Sequence, residues 1–131
     1  MRILWVKIGG LWPADSGGRL RSFHILSELS RRHEVTVVTT LQQDEPPTQL
    51  AEHLPRCKRV ISLPHKPAKH GSQAFVKALL QSWFSTLPVD LYKNQNEQMQ
   101  ETVRELLNSG DYDLCIADFL TGLANVPRRL P

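Results

Sequence analysis

The sequence predicts an α/β fold: an open parallel sheet with helices on both faces. Three observations predict it. Short runs of β-branched and apolar residues recur along the chain, segments of helical period lie between them, and a glycine-rich connection follows the first run. The first run is Ile3-Leu4-Trp5-Val6, bounded by Lys7 and Gly9-Gly10, and it reads as a buried strand. Residues 19–32 follow with Leu20, Phe23, Leu26 and Leu29 spaced by three and Ile25 widening the stripe, which is helical periodicity. The second run, Val35-Thr36-Val37-Val38-Thr39-Thr40, completes a strand–helix–strand unit within about 40 residues.

The pattern then repeats. Residues 48–54 fit a short helix, and Arg59-Val60-Ile61-Ser62-Leu63 is a third strand stopped by Pro64, with Pro67 further along the same loop. Across residues 74–87, Phe75, Val76, Leu79, Leu80, Trp83, Phe84 and Leu87 follow i, i+3, i+4 spacing, a stripe expected to cover the sheet. Asp90 and Tyr92 follow Pro88 in a short connection. Asn94-x-x-Glu97 has the form of a capping box for a helix that turns Met99, Val103, Leu106 and Leu107 inward and closes at Gly110. Leu114-Cys115-Ile116-Ala117 is the fourth strand. Alternation of this kind gives a Rossmann-like open sheet, because neither element type buries its apolar side alone. Residues 120–131, with Pro127, Arg128, Arg129 and Pro131, supply no fifth strand. Since a four-strand sheet leaves open edges, residues 1–131 are expected to be an incomplete N-terminal half of a larger fold.

Composition narrows the function classes. A chain of 131 residues fits one domain. Its net charge of +3, from 16 basic against 13 acidic residues without a long run of one sign, is too small to argue for nucleic acid. Cys57 and Cys115 lack the paired spacing of a zinc or redox motif, and the histidines lack metal-ligand spacing, so no metal is expected. Lys7 interrupts the N-terminal apolar run before a signal core forms. No segment reaches the roughly 18 apolar residues of a membrane span. The expected location is therefore cytoplasmic, free or peripheral at the inner face of the membrane.

The glycine-rich connection carries the chemistry. Ligands of open parallel sheets bind beyond the carboxyl ends of the strands, where glycines let phosphate approach backbone amides. Gly9, Gly10, Gly17 and Gly18 fit G-x-G-x-x-G in no register, and Thr39 and Thr40 stand where a nicotinamide site wants an acid. No Walker A sequence occurs. No cofactor is expected.

Arg19 and Arg21 sit at a helix start, where a cation costs about 0.3 to 1 kcal/mol. A diphosphate on the amides of Gly17 and Gly18, beside Ser16 and reached by Arg19, accounts for both the glycines and the arginines. Two solvated arginines account for the charge pattern equally well. Gly10, Arg21 and His24 are secondary candidates on the same rim. Asp118, at the end of the fourth strand, is suited to orienting a hydroxyl or accepting a proton, or simply to capping the next turn; no other catalytic residue stands out. His65, Lys66, Lys69 and His70 form a basic loop ahead of the stripe bearing Trp83 and Phe84, a pairing suited to an anionic membrane surface unless the stripe is core.

The segment Met1-Arg-Ile-Leu-Trp-Val-Lys-Ile-Gly-Gly-Leu-Trp-Pro-Ala-Asp-Ser-Gly-Gly-Arg-Leu-Arg-Ser-Phe-His-Ile-Leu, running into Arg31-Arg-His-Glu-Val-Thr-Val-Val-Thr, resembles the opening of family 4 GT-B glycosyltransferases, most nearly bacterial sugar transferases of exopolysaccharide gene clusters. Shorter echoes are Ser85-Thr-Leu-Pro-Val ahead of Tyr92-Lys93, and Tyr112-Asp-Leu-Cys-Ile-Ala-Asp-Phe-Leu. The resemblance implies two Rossmann-like domains across a cleft, with a saccharide or lipid-linked acceptor on the N-terminal one and the nucleotide-sugar donor on the other. It implies retention of anomeric configuration, no metal, and Gly17-Gly18 approaching the donor diphosphate with help from Arg19. The family's paired glutamates lie in the domain that has no counterpart here, so this half alone is expected to be inactive. The alternative is a non-catalytic, flavodoxin-like module binding an anion or a partner at the same rim. A Rossmann oxidoreductase fragment is a third reading and lacks the nicotinamide fingerprint.

Overall fold

The computed structural model describes residues 1–41, 49–65, 73–84 and 88–128. Four strands, β1 (Arg2–Lys7), β2 (Glu34–Thr40), β3 (Arg59–Leu63) and β4 (Leu114–Asp118), form one all-parallel sheet in the order β3-β2-β1-β4. Among the described residues six helices accompany them: α1 (Gly17–Leu29), α2 (Gln49–His53), α3 (Gln73–Trp83), α4 (Val89–Tyr92), α5 (Glu97–Asn108) and α6 (Phe119–Leu123). The architecture is the Rossmann-like α/β fold that the alternating pattern predicts.

Strand alternation splits the core into two layers. Ile3, Trp5, Val35 and Val37 face α1 and α2, packing with Leu11, Leu26, Leu50 and Leu54. Leu4, Val6 and Val38 face the other way and meet Met99 and Val103 of α5. Both central strands are buried on both faces, which is why they read as continuous apolar runs.

Three expectations are corrected. Leu20 and Ile25 point outward instead of joining the buried stripe of α1. The helix is rotated so that Ser22 and Leu26 are its buried residues, with Phe23 and Leu29 packed at the edge of the core. A buried hydrogen bond from Ser22 to Asp118 fixes that rotation. Second, the cap of α5 is Asn96 and not Asn94: the Asn96 side chain accepts from the Met99 amide at 3.0 Å, while Asn94 Nδ2 donates to the Asp90 carbonyl. The residue three beyond Asn96 is Met99, so no reciprocal box closes; Glu97 instead adds an acid to the first turn.

Third, most of the described part of the α3 stripe is not buried, Leu79 alone being half-buried. Val76, Leu80, Trp83 and Phe84 are exposed, whereas Ser82 is buried. The sheet face that bears Leu4, Val6 and Val38 is filled by α5. The expected helix end at Leu87 and the loop residues Lys66, Lys69 and His70 lie outside the described residues, as do the side chain of Phe75 and Arg129.

The stretch after β4, read as lacking a strand, forms α6, which is pressed against β1: a Cβ on Gly122 would stand 2.7 Å from the Val6 carbonyl oxygen, an approach only glycine permits. Fully buried Asn125 then ties α6 to the start of α5. Its Nδ2 donates to the carbonyls of Asn94 and Thr121, and its Oδ1 accepts from the Asn96 amide at 2.8 Å.

Candidate functional site

From β1 the chain moves outward to β2 and β3, then returns to the opposite side of β1 as β4. The switch point therefore lies between β1 and β4, and the crevice beyond their carboxyl ends is where open α/β sheets bind ligands. Register makes Lys7, the last residue of β1, the neighbour of Asp118, the last of β4, with Thr39 of β2 on its other side. Lys7 continues the face of Ile3 and Trp5, so its side chain is buried at the top of that layer.

A buried ammonium needs a counter-charge, and Lys7 Nζ meets Asp118 Oδ2 at 3.0 Å. Arg21 of α1 binds Asp118 Oδ1 at 2.7 Å, and the Ser22 hydroxyl donates to Oδ2. Burial pushes the Lys7 ammonium below its ordinary value, and the Asp118 hydrogen bond opposes that push. The hydroxyl of fully buried Thr39 has no hydrogen-bond partner among the described residues.

Phe119 follows at φ +64°, a left-handed conformation uncommon outside glycine and asparagine. Its half-exposed ring lies 4.5 Å from both Lys7 Nζ and the Arg21 guanidinium, within cation–π range. With three donors on its oxygens, Asp118 acts as an anchor joining β1, β4 and α1. Although it is the residue before α6, its side chain makes no cap hydrogen bond.

Above this anchor α1 begins. Ser16 is extended and makes no side-chain cap bond, and the first turn holds no acid. The first helical donor is the Leu20 amide to the Ser16 carbonyl, which leaves the amides of Gly17, Gly18 and Arg19 without helical acceptors. Gly18 faces the Phe119 ring, 3.4 Å from where a Cβ would stand. Gly9 and Gly10 have positive φ, so the turn itself requires them. Gly17 is different: it is exposed, it is not among the positive-φ glycines, and a Cβ there would meet nothing within 4 Å. Nothing in the described fold requires glycine at position 17.

Both arginines have carboxylate partners, which changes the argument from their charge. Arg19 pairs with Asp15 at 2.7 Å, and Arg21 with Asp118. The helix-start penalty is relieved within the chain, so the arginines alone do not call for an external anion. The Arg19–Asp15 pair is exchangeable, because Asp15 is exposed and such surface pairs are worth about 0 to 1 kcal/mol.

His24 is exposed, and the hollows that it lines include no residue of the anchor. With Trp12, Asp15 and Phe23 it lines a shallow hollow of about 410 Å³ beside the loop. Gly10 is buried in the turn below. The structure therefore brings together Arg21 and Asp118, places Ser16, Gly17, Gly18 and Arg19 at the neighbouring helix start, and leaves His24 apart.

Lys7 and Phe119 escaped sequence reasoning. The signal for Lys7 was its place in the alternation Ile3, Trp5, Lys7; Phe119 had none, since its role depends on a backbone conformation. Cys57 and Cys115 are free and half-buried, and burial pushes both thiols up. Among the described residues, no group of three or more His, Cys, Asp or Glu converges as a metal site requires, and no helix is long and apolar enough to cross a membrane. Compared with known proteins, the chain matches no family model, no curated protein and no solved structure.

Proposed function

We propose that the chain is the acceptor-side half of a family 4 GT-B glycosyltransferase, with the start of α1 facing the diphosphate of a nucleotide-sugar donor. The observation that carries this reading is Gly17, a glycine without a structural need on an uncapped helix start at the switch point of the sheet. A side chain there crowds nothing in the chain itself, so what it would obstruct is an approaching ligand. The family resemblance of the first strand, its loop and α1 supplies the identity of that ligand.

In this reading a second domain holds the nucleotide sugar, and the saccharide or lipid-linked acceptor rests on this half. Negative charge grows on the leaving diphosphate as the sugar's glycosidic C–O bond breaks. The amides of Gly17 and Gly18 meet that charge from fixed positions, which favours the transition state over the ground state. Arg19 exchanges Asp15 for a phosphate oxygen, while Lys7, Asp118, Arg21 and Ser22 hold the helix start in place. A nucleotide-sugar donor puts the reaction in the cytoplasm, and a lipid-linked acceptor puts it at the inner face of the membrane.

Amide NMR during titration with UDP, GDP, pyrophosphate and sulfate tests the reading. The expected result is that the Gly17, Gly18 and Arg19 amides shift with the diphosphates and less with sulfate. An equal response to sulfate favours the non-catalytic anion-binding module. Unmoved amides with every ligand refute the site.

A further inference from the structure

The stripe of α3 has an inverted relation to the rest of the molecule. Val76, Leu80, Trp83 and Phe84 lie at i, i+4, i+7 and i+8 on one lane, 51%, 52%, 74% and 96% exposed. Ser82, the polar residue beside them, is buried and spends its hydroxyl on the Leu79 carbonyl. An apolar lane that ends in two adjacent exposed aromatics is expensive in water and marks a contact surface.

Charge selects the occupant. From His53 to Val89 the sequence contains no Asp or Glu, yet it carries Arg56, Lys58, Arg59, Lys66, Lys69 and Lys77, of which Lys58 is paired with Glu34 at 2.6 Å at the amino end of β3. Six of the 16 basic residues and none of the 13 acidic ones fall in this stretch, so the remainder of the chain is net acidic. On the helix itself, exposed Lys77 flanks the apolar lane. The carboxylate that follows, Asp90 of α4, is paired with Lys93 at 2.6 Å.

We infer that α3 docks on an anionic phospholipid surface, laying Val76, Leu80, Trp83 and Phe84 into the headgroup–acyl boundary beside exposed Lys77. Tryptophan and phenylalanine on the apolar side with lysine beside them is the composition of an interfacial helix. Each lysine or arginine near an anionic leaflet adds roughly equal, salt-sensitive attraction. Docking through α3 is independent of what binds at Gly17 and Gly18, since the two surfaces share no residue.

The test is sedimentation of the whole chain with vesicles of phosphatidylcholine, alone or mixed with phosphatidylglycerol, with tryptophan emission recorded. Trp5 is buried and Trp12 packs against the core, so a lipid-induced change reports Trp83. The expected result is a blue shift and binding to the mixed vesicles only, weakened by salt. Trp83→Ser with Phe84→Ser should lower partitioning by about tenfold or more, because burial of one large apolar side chain is worth that much. Lys77→Glu should weaken it less. Both exposed sites tolerate polar replacement, and circular dichroism checks that the fold persists. Absence of binding to the mixed vesicles overturns the inference. So does a dimer in solution that Trp83→Ser dissociates, which would make a second copy the occupant.

Discussion

Two helices of the same sheet begin in opposite ways. α5 is closed at its start: Asn96 accepts from the Met99 amide, Glu97 faces the positive end of the helix, and Asn125, Pro64 and His65 hold Asn96 in turn. α1 begins with Ser16, whose side chain makes no such bond, then Gly17 and Gly18, and no acid in the first turn. What holds α1 comes from the side, through Arg21 and Ser22 gripping Asp118. A chain that caps one helix thoroughly and leaves another open at the switch point has separated stability from availability. α5 is tied into the fold, and the amides of α1 are presented to whatever arrives.

The largest effect should come from cutting the lateral anchor. Asp118→Ala leaves the buried Lys7 ammonium without its counter-ion and frees Arg21 and Ser22 together, at a cost of about 3 to 5 kcal/mol in urea unfolding. Breaking the caps should separate the two helices. Asn96→Ala should cost about 1 kcal/mol, near the middle of the range for lost caps. Ser16→Ala should stay within about 0.5 kcal/mol, because there is no side-chain bond to lose. Equal losses would erase the contrast between the two starts.

A smaller effect concerns pH. His65 Nδ1 lies 3.3 Å from Asn96 Nδ2, a contact that neutral imidazole can accept and imidazolium cannot. Burial lowers the His65 value from its ordinary 6.5, so the unfolded chain takes up a proton before the folded one does. Stability should therefore fall as pH drops below about 6.5 and through the lowered folded value. His65→Gln should flatten that slope, as followed by denaturant midpoints across mildly acidic pH.

Much of this architecture was legible because a strand buried on both faces has to be apolar throughout, and Ile3 to Val6 and Val35 to Val38 are. The third strand, Arg59–Leu63, reads directly from its β-branched run and Pro64. The cap of α5 was two residues off because Asn94 and Asn96 both carry the right side chain, and only the backbone decides between them. Periodicity likewise located the stripe of α3 but not what faces it. Helical spacing records that one side is apolar and says nothing of whether the sheet has room for it.

The candidate site was half legible. Glycine pairs marked the loop, yet Gly9 and Gly10 serve the turn while Gly17 serves no turn or packing contact among the described residues. The Lys7–Asp118 pair joins residues 111 apart in sequence through strand register, which no local pattern encodes.

Gly17→Ala tests the central claim most directly, with unfolding free energy and diphosphate affinity measured on the same variant. A Cβ at this position meets nothing, and alanine is the better helix former by up to about 1 kcal/mol, so the variant should be at least as stable as the parent. The same methyl group stands in the path of a ligand approaching the amides, so affinity for UDP should fall. A variant equally stable that binds the diphosphate as well as the parent would show that the open start of α1 receives no anion.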